Sequence, residues 1–205
     1  MKKLLLSGVA ALALGGAMVP TAAFAEAGDI LVRARIIGVL PDEEADVTVL
    51  GGSVDIDEAW VPEVDFSYFL TDNLALELIA ATAEHEVQAT TGPTDLGSVW
   101  LLPPTLLLQY HFPMGNGVKP YLGAGINYTI FYNVDDPAGL DVEYDDGFGW
   151  ALQAGLDVDL TGNWFANFDV KKLFLSTDAS INNGAITADV DIDPWIVGAG
   201  IGYRF

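Results

Sequence analysis

The stretch "VDFSYFLTDNLALELIAA", Val64 to Ala81, decides how the rest of the chain is read. Val64, Phe66, Tyr68 and Leu70 alternate with Asp65, Ser67 and Phe69. After Thr71-Asp72-Asn73, Leu74, Leu76, Leu78 and Ala80 alternate with Ala75, Glu77, Ile79 and Ala81. A period of two residues is the signature of a strand, and three polar residues between two such runs predict a hairpin turn. The regular face of both strands is apolar without exception, while the other face mixes Asp65, Ser67 and Glu77 with Phe69 and Ile79. A half-buried sheet in water keeps its regular outer face polar. A sheet whose outer face meets hydrocarbon reverses that pattern.

The same parity recurs in Leu106, Leu108, Tyr110 and Phe112, in Leu122 through Ile130, and in Phe148 through Val158. It closes with Trp164, Phe168 and Val170, then Trp195 through Phe205, and a weaker run covers Ile30 to Ile37. These make about eight strands of the length that crosses a bilayer at a tilt. Past the first 25 residues there is no run of about 18 apolar residues, so a spanning helix is not expected there. Short turns at Thr71–Asn73, Pro113–Lys119 and Thr161–Asn163 alternate with long segments near 41–57, 84–98, 133–146 and 176–192. The predicted class is therefore all-β: an eight-stranded antiparallel up-and-down transmembrane β-barrel with short periplasmic turns and long extracellular loops. A soluble β-sandwich is the competitor, but it would not place aromatics near the strand ends of an apolar outer face, as an interfacial girdle does.

The first residues agree. Lys2 and Lys3, the apolar run Leu4 to Val19 and the A-x-A site Ala23-Phe24-Ala25 predict a cleaved signal peptide over residues 1–25, with the barrel domain at 26–205. An uncleaved anchor is less favoured because the apolar run is short for a spanning helix. The formal charge of −21 becomes two units more negative once both lysines are lost, which excludes nucleic acid as a partner. Disorder is excluded as well, since apolar residues make up 51% of the chain and charged ones 18%. There is no cysteine to cross-link an exported domain.

Four segments, "TDNLALELIAAT", "LLPPTLLLQYHF", "KPYLGAGINYT" and "DPWIVGAGIGYRF", resemble the OmpW family of Gram-negative outer-membrane proteins. The resemblance runs in order through nearly the whole mature chain. It implies residence in the cell outer membrane, among lipid and lipopolysaccharide, and a hydrophobic lumen that passes small hydrophobic molecules. Through "ELIAAT" it aligns Ile79 with an inward apolar residue that narrows the lumen. Some members complete that constriction with a bulky aromatic on the seventh strand, where this chain carries Lys171.

Parity tests the idea residue by residue. Inward positions near the periplasmic end include Arg33, Asp65, Glu77, Asp157, Asp169 and Arg204, with Gln109 and His111 beside them; Lys171 joins them if it pairs with Asp169 or Asp157. In so narrow a barrel, opposite charges should pair into a polar plug. Higher inward positions include Val61, Ile79, Leu107, Phe131, Leu173 and Ile196, an apolar lumen lining. Pro103 and Pro104 interrupt the fourth strand above that level. Having no N–H to give to a ladder, they mark either a lateral opening toward the lipid or a simple bulge at the rim. The terminal aromatics Tyr203 and Phe205 are expected to serve closure of the barrel and its recognition by the barrel-assembly machinery.

Other motifs carry less. The glycines at 123, 125, 198, 200 and 202 precede no helix, so they read as room for packed neighbours rather than a nucleotide loop. "DVDID", Asp189 to Asp193, lacks the glycine and final glutamate of a calcium loop. Lys172, outward near the outer interface, is expected to snorkel toward lipopolysaccharide phosphates. No metal or cofactor is expected. A lipid A-modifying enzyme is the weakest alternative, since His85 and His111 stand without a nucleophile elbow. The leading reading is a passive hydrophobic channel, possibly with lateral exit, against a structural or phage and bacteriocin receptor barrel without transport.

Overall fold

A computed structural model describes residues 25–47, 54–89, 94–135, 139 and 141–205; residues 1–24 of the expected signal peptide, and parts of three long connections, lie outside the described residues. In chain order the strands are β1 (Ile30–Leu40), β2 (Glu44–Val47), β3 (Val54–Ile56), β4 (Ala59–Phe69), β5 (Leu74–Ala81), β6 (Ala83–Ala89), β7 (Thr94–Leu102) and β8 (Thr105–His111). They continue with β9 (Val118–Asp135), β10 (Val142–Tyr144), β11 (Gly147–Asp159), β12 (Trp164–Phe174), β13 (Ser176–Ile181), β14 (Ile186–Asp191) and β15 (Trp195–Arg204).

Eight of these make the wall, in the order β11-β12-β15-β1-β4-β5-β8-β9, and a further β9–β11 pairing returns the sheet to its start. Every pairing is antiparallel, so the all-β, eight-stranded closed barrel expected from the sequence is the fold observed. The last strand seals against the first, from Leu40↔Trp195 to Leu31↔Arg204, and the Phe205 N–H adds a bond to the Ile30 carbonyl at 2.9 Å. Closure leaves no edge strand to solvate inside a membrane, where an unpaired backbone group costs several kcal/mol.

The outer face follows the predicted parity. Leu78, Leu108, Leu122, Ile126, Leu152 and Ile201 form an exposed aliphatic band. Aromatic pairs lie toward both ends: Trp164–Tyr203 and Tyr203–Phe205 near the short turns, Tyr128–Phe148 toward the other rim. Leu78 is 52% exposed while its neighbour Ile79 is 3% exposed, so the parity assigned from sequence holds at the residue where it matters most. A Leu78→Arg variant should therefore lose about 2 to 4 kcal/mol if Leu78 sits near the bilayer midplane. Urea titration in lipid vesicles reads this, and an unshifted midpoint would move Leu78 off the lipid face.

The short turns are built from local polar chemistry. The Thr71 hydroxyl accepts the N–H groups of Asn73 and Leu74 at 3.3 and 3.0 Å, and Asn73 Nδ2 donates to the His111 carbonyl at 2.9 Å. In the third turn Gly162 takes a φ of +58°, a conformation that favours glycine.

The long segments differ from expectation, because much of their length continues as strand. β6 and β7 carry the β5–β8 hairpin outward, β6 pairing with β3 and β7 with β9, while β10, β13, β14 and β2 form a separate four-stranded sheet. The reason is visible in the alternation of burial over β13 and β14, where Thr177, Ala179, Ala188 and Val190 turn inward between exposed neighbours. The apolar interior thus reaches well above the band that meets lipid.

Candidate functional site

The lower interior is a buried ionic network. Arg33 and Arg35 stand two residues apart on β1 and so point to the same side. Arg33 Nη1 reaches Asp65 Oδ1 at 2.9 Å and the Ser67 hydroxyl at 2.8 Å, while its Nε and Nη2 grip both oxygens of Asp157 at 3.3 and 2.9 Å. The Arg33 guanidinium also lies over the rings of Tyr121 and Phe165, at 5.3 and 5.5 Å. Arg35 meets Glu63 at 2.8 Å, Asp65 at 2.6 Å, Glu77 at 3.3 Å and Asp169 at 3.5 Å. Lys171 bridges Glu63 and Asp169, both at 2.9 Å. Three cations therefore face five carboxylates, all but excluded from solvent.

Neutral groups complete the network. Gln153 Nε2 donates to Glu77 Oε2 at 2.8 Å, Gln109 Nε2 donates to Gln153 Oε1 at 2.8 Å, and His111 Nε2 meets Gln109 Oε1 at 3.1 Å. The Tyr121 hydroxyl donates to Asp169 at 2.9 Å, and Asn167 Nδ2 donates to Tyr121 and Asp157 at 3.0 and 2.7 Å. The inward glycines make room for this. A Cβ on Gly155 would strike the Tyr121 ring, and one on Gly202 the Phe165 ring.

Above the network opens a chamber of about 300 Å³. Glu63 and Lys171 form its polar base. Val61, Ile79, Phe131, Leu173 and Ile196 line it as the parity predicted, and Val87, Val99, Ala179 and Val190 of the outer strands continue the apolar wall. Leu107 also faces inward but is not in the chamber wall: it is fully buried in the apolar cluster around the chamber, a correction to its expected place.

Arg204 keeps inward parity and sits at the short-turn end beside Phe69, His111, Asp157 and Phe165, with its Nε 4.0 Å from Asp29. Lys172 is the second correction: its ammonium is held by Asp42 at 3.1 Å and by the Asp193 carbonyl, over the Trp195 ring at 5.2 Å, rather than extended toward lipid phosphates. His85, expected in a loop, lies on β6 and lines the chamber, with its Nδ1 2.8 Å from the Asp57 carbonyl. Burial lowers its pKa below the ordinary histidine range, only partly offset by that carbonyl bond.

Pro103 and Pro104 separate β7 from β8. Toward β9 the register is unbroken, from Leu102↔Ile130 to Thr105↔Asn127, and the Pro104 carbonyl still accepts the Tyr128 N–H at 3.1 Å. Toward the preceding hairpin the ladder lapses between Ile79↔Thr105 and Ala83↔Leu101. Pro103, Ala81 and Thr82 border the chamber at that lapse, and the Thr82 hydroxyl donates across it to the Leu101 carbonyl at 3.1 Å. Among the described residues no cluster of metal-ligating side chains forms.

Sequence reasoning missed Arg35, Glu63, Tyr121 and Asn167. The signal was available for the first two: Arg35 shares the parity of Arg33, and Glu63 that of Asp65. Asn167 likewise shares the inward parity of Asp169, while Tyr121 has inward parity but, as an aromatic, carries no chemical mark of an ionic partner.

A closed eight-stranded wall with an apolar exterior, girdled by aromatics and floored by ion pairs, is that of an outer-membrane barrel. A profile of the OmpW family matches residues 26–205, and the chain belongs to that family. It is 45% identical over 182 residues to the outer-membrane protein y4mB of Sinorhizobium fredii, covering 85% of this chain and 79% of that one. It is 36% identical to Outer membrane protein W of Escherichia coli, across the full length of both. The crystal structure of OprG from Pseudomonas aeruginosa superposes with a TM-score of 0.80 at 31% identity, covering 88% of this chain and 97% of that one. The protein is thus a non-enzymatic barrel of the Gram-negative outer membrane.

Proposed function

We propose that this barrel passes small hydrophobic molecules inward from the cell surface and releases them sideways into the membrane. The observation that carries the reading is the stacking of an apolar chamber on a sealed ionic floor, with a lapse in the wall at chamber height. An apolar solute gains roughly 25 cal/mol for each Å² it removes from water on entering such a chamber. Continuing downward it would have to part buried ion pairs, whose disruption costs several kcal/mol each. The lateral route asks only that a short, poorly bonded stretch of wall part, which the prolines keep poorly bonded. In this reading residues 1–25 are removed on export, Tyr203 and Phe205 serve closure and recognition by the assembly machinery, and the plug residues keep ions from crossing.

The test is a Pro103→Val/Pro104→Val double variant, which restores one N–H donor, at position 103, facing the lapse, and another, at position 104, on the side of the Pro104 carbonyl that already bonds β9. The backbone bond regained across the lapse adds about 0.5 to 1.5 kcal/mol to the cost of parting the wall, so uptake of the fluorescent apolar probe N-phenylnaphthylamine by intact cells should slow about two- to tenfold. An unchanged rate in folded protein would remove the lateral exit. A native rate no faster than that of cells lacking the protein would favour the receptor reading.

A further inference from the structure

The chamber base is not an inert stopper. Glu63 and Lys171 line the chamber while also belonging to the ionic network. Both contacts to the Glu63 carboxylate arrive at one oxygen: Lys171 Nζ at 2.9 Å and Arg35 Nε at 2.8 Å both meet Oε1. Oε2 takes neither. Lys171, for its part, spends two of its three N–H bonds, on Glu63 and Asp169. A carboxylate oxygen without a donor beside apolar walls is costly, and it gains most from a solute that brings one.

Most of the other polar groups of the wall do not compete for such a solute as donors. The hydroxyls of Thr82, Thr105 and Thr177 each donate to a backbone carbonyl, at 3.1, 2.9 and 2.9 Å. His85 does the same through Nδ1, which leaves its Nε2 as a further acceptor. Tyr144 and Asn182, which also line the chamber, belong to the outer strands and their turn, so around Glu63 the chamber is rich in acceptors and poor in spare donors.

Resting on the reading that the chamber admits apolar solutes, we propose that its base is a head-group site: Glu63, held by Lys171 and Arg35, selects apolar molecules that carry a neutral hydroxyl, phenols and alcohols, over plain hydrocarbons. An ammonium head would face Lys171 and Arg35 at close range, and a carboxylate head would face Glu63. A hydroxyl meets neither repulsion, donates to Oε2 and can accept the spare Lys171 proton, while its hydrocarbon part rests on Val61, Ile79 and Leu173.

Equilibrium dialysis of the full chain in lipid nanodiscs, against empty nanodiscs, tests this with 4-hexylphenol, 4-hexylanisole and hexylbenzene. The three share a hydrocarbon body, and only the phenol donates. The native protein should hold the phenol about tenfold more tightly than either comparator, as one charge-assisted hydrogen bond allows. A Glu63→Leu/Lys171→Leu variant, which removes the pair without changing net charge, should bind all three alike. Phenol and anisole binding equally to the native protein would overturn the head-group site while leaving the chamber reading in place. A phenol preference that persists in the folded double variant would overturn the assignment to Glu63. If none of the three binds beyond empty nanodiscs, the chamber reading itself falls. Should the double variant not fold, the phenol–anisole comparison in the native protein decides alone.

Discussion

An Arg33→Met variant should lose about 3 to 5 kcal/mol of folding stability, the typical cost of removing one partner from a buried ion pair and leaving the other charged. Arg33 is fully buried, and its loss takes both of its contacts from Asp157 and one of two arginine contacts from each of Asp65 and Glu77, where solvent does not reach to replace them. Arg35 cannot compensate, since its own donors are committed to Glu63, Asp65 and Glu77. Urea titration in lipid vesicles reads the loss as a lowered midpoint. An Arg33→Met/Asp157→Asn variant should recover part of it, because Asp157 receives two of the Arg33 donors and becomes tolerable when neutral. A loss below about 1 kcal/mol for Arg33→Met would mean that water reaches these groups and that the floor is not sealed.

What the plug does for the fold also explains why it was partly legible in the sequence. Charge at an inward position of a lipid-facing strand is a local signal, read from parity alone, and the residues it singles out, Arg33, Asp65, Glu77, Asp157 and Asp169, lie together in one buried network. Height along the barrel axis is not local. It depends on the stagger between strands, and so Leu107 was placed in a chamber wall it does not reach. Lys171 shows the opposite case: its position in the chain suggested a break in the apolar constriction, and its two carboxylate partners are what make the break stable.

The outer strands were less legible for a different reason. Segments near 84–98 and 176–192 mix charged residues with period-two apolar ones, a pattern that polar loops and half-solvated strands share. Only pairing resolves it, as in β13 against β14 and β6 against β7. The consequence is that these strands carry the apolar wall of the chamber upward, past the band that meets lipid.

Uptake of N-phenylnaphthylamine should fall roughly ten- to a hundredfold in an Ile79→Asp variant, the rate equivalent of the 1 to 3 kcal/mol that an unsatisfied polar group costs in an apolar setting. Ile79 is almost fully buried, lines the chamber, and is paired across the sheet with Asp65 on one side and Thr105 on the other. It thus stands where the ionic floor gives way to apolar wall. A new carboxylate there finds no cation of the network that is not already shared, since Arg33, Arg35 and Lys171 serve five carboxylates between them. It would draw water into the chamber and strip the solute of apolar contact where it must turn toward Pro103. Folding should persist, because the outer band and the strand ladder are untouched, and heat-modifiable migration on gels checks that. An Ile79→Val variant, which keeps the wall apolar, should transport at close to the native rate. Native uptake by folded Ile79→Asp protein would sink the lumenal route and leave a surface receptor as the better account of the barrel.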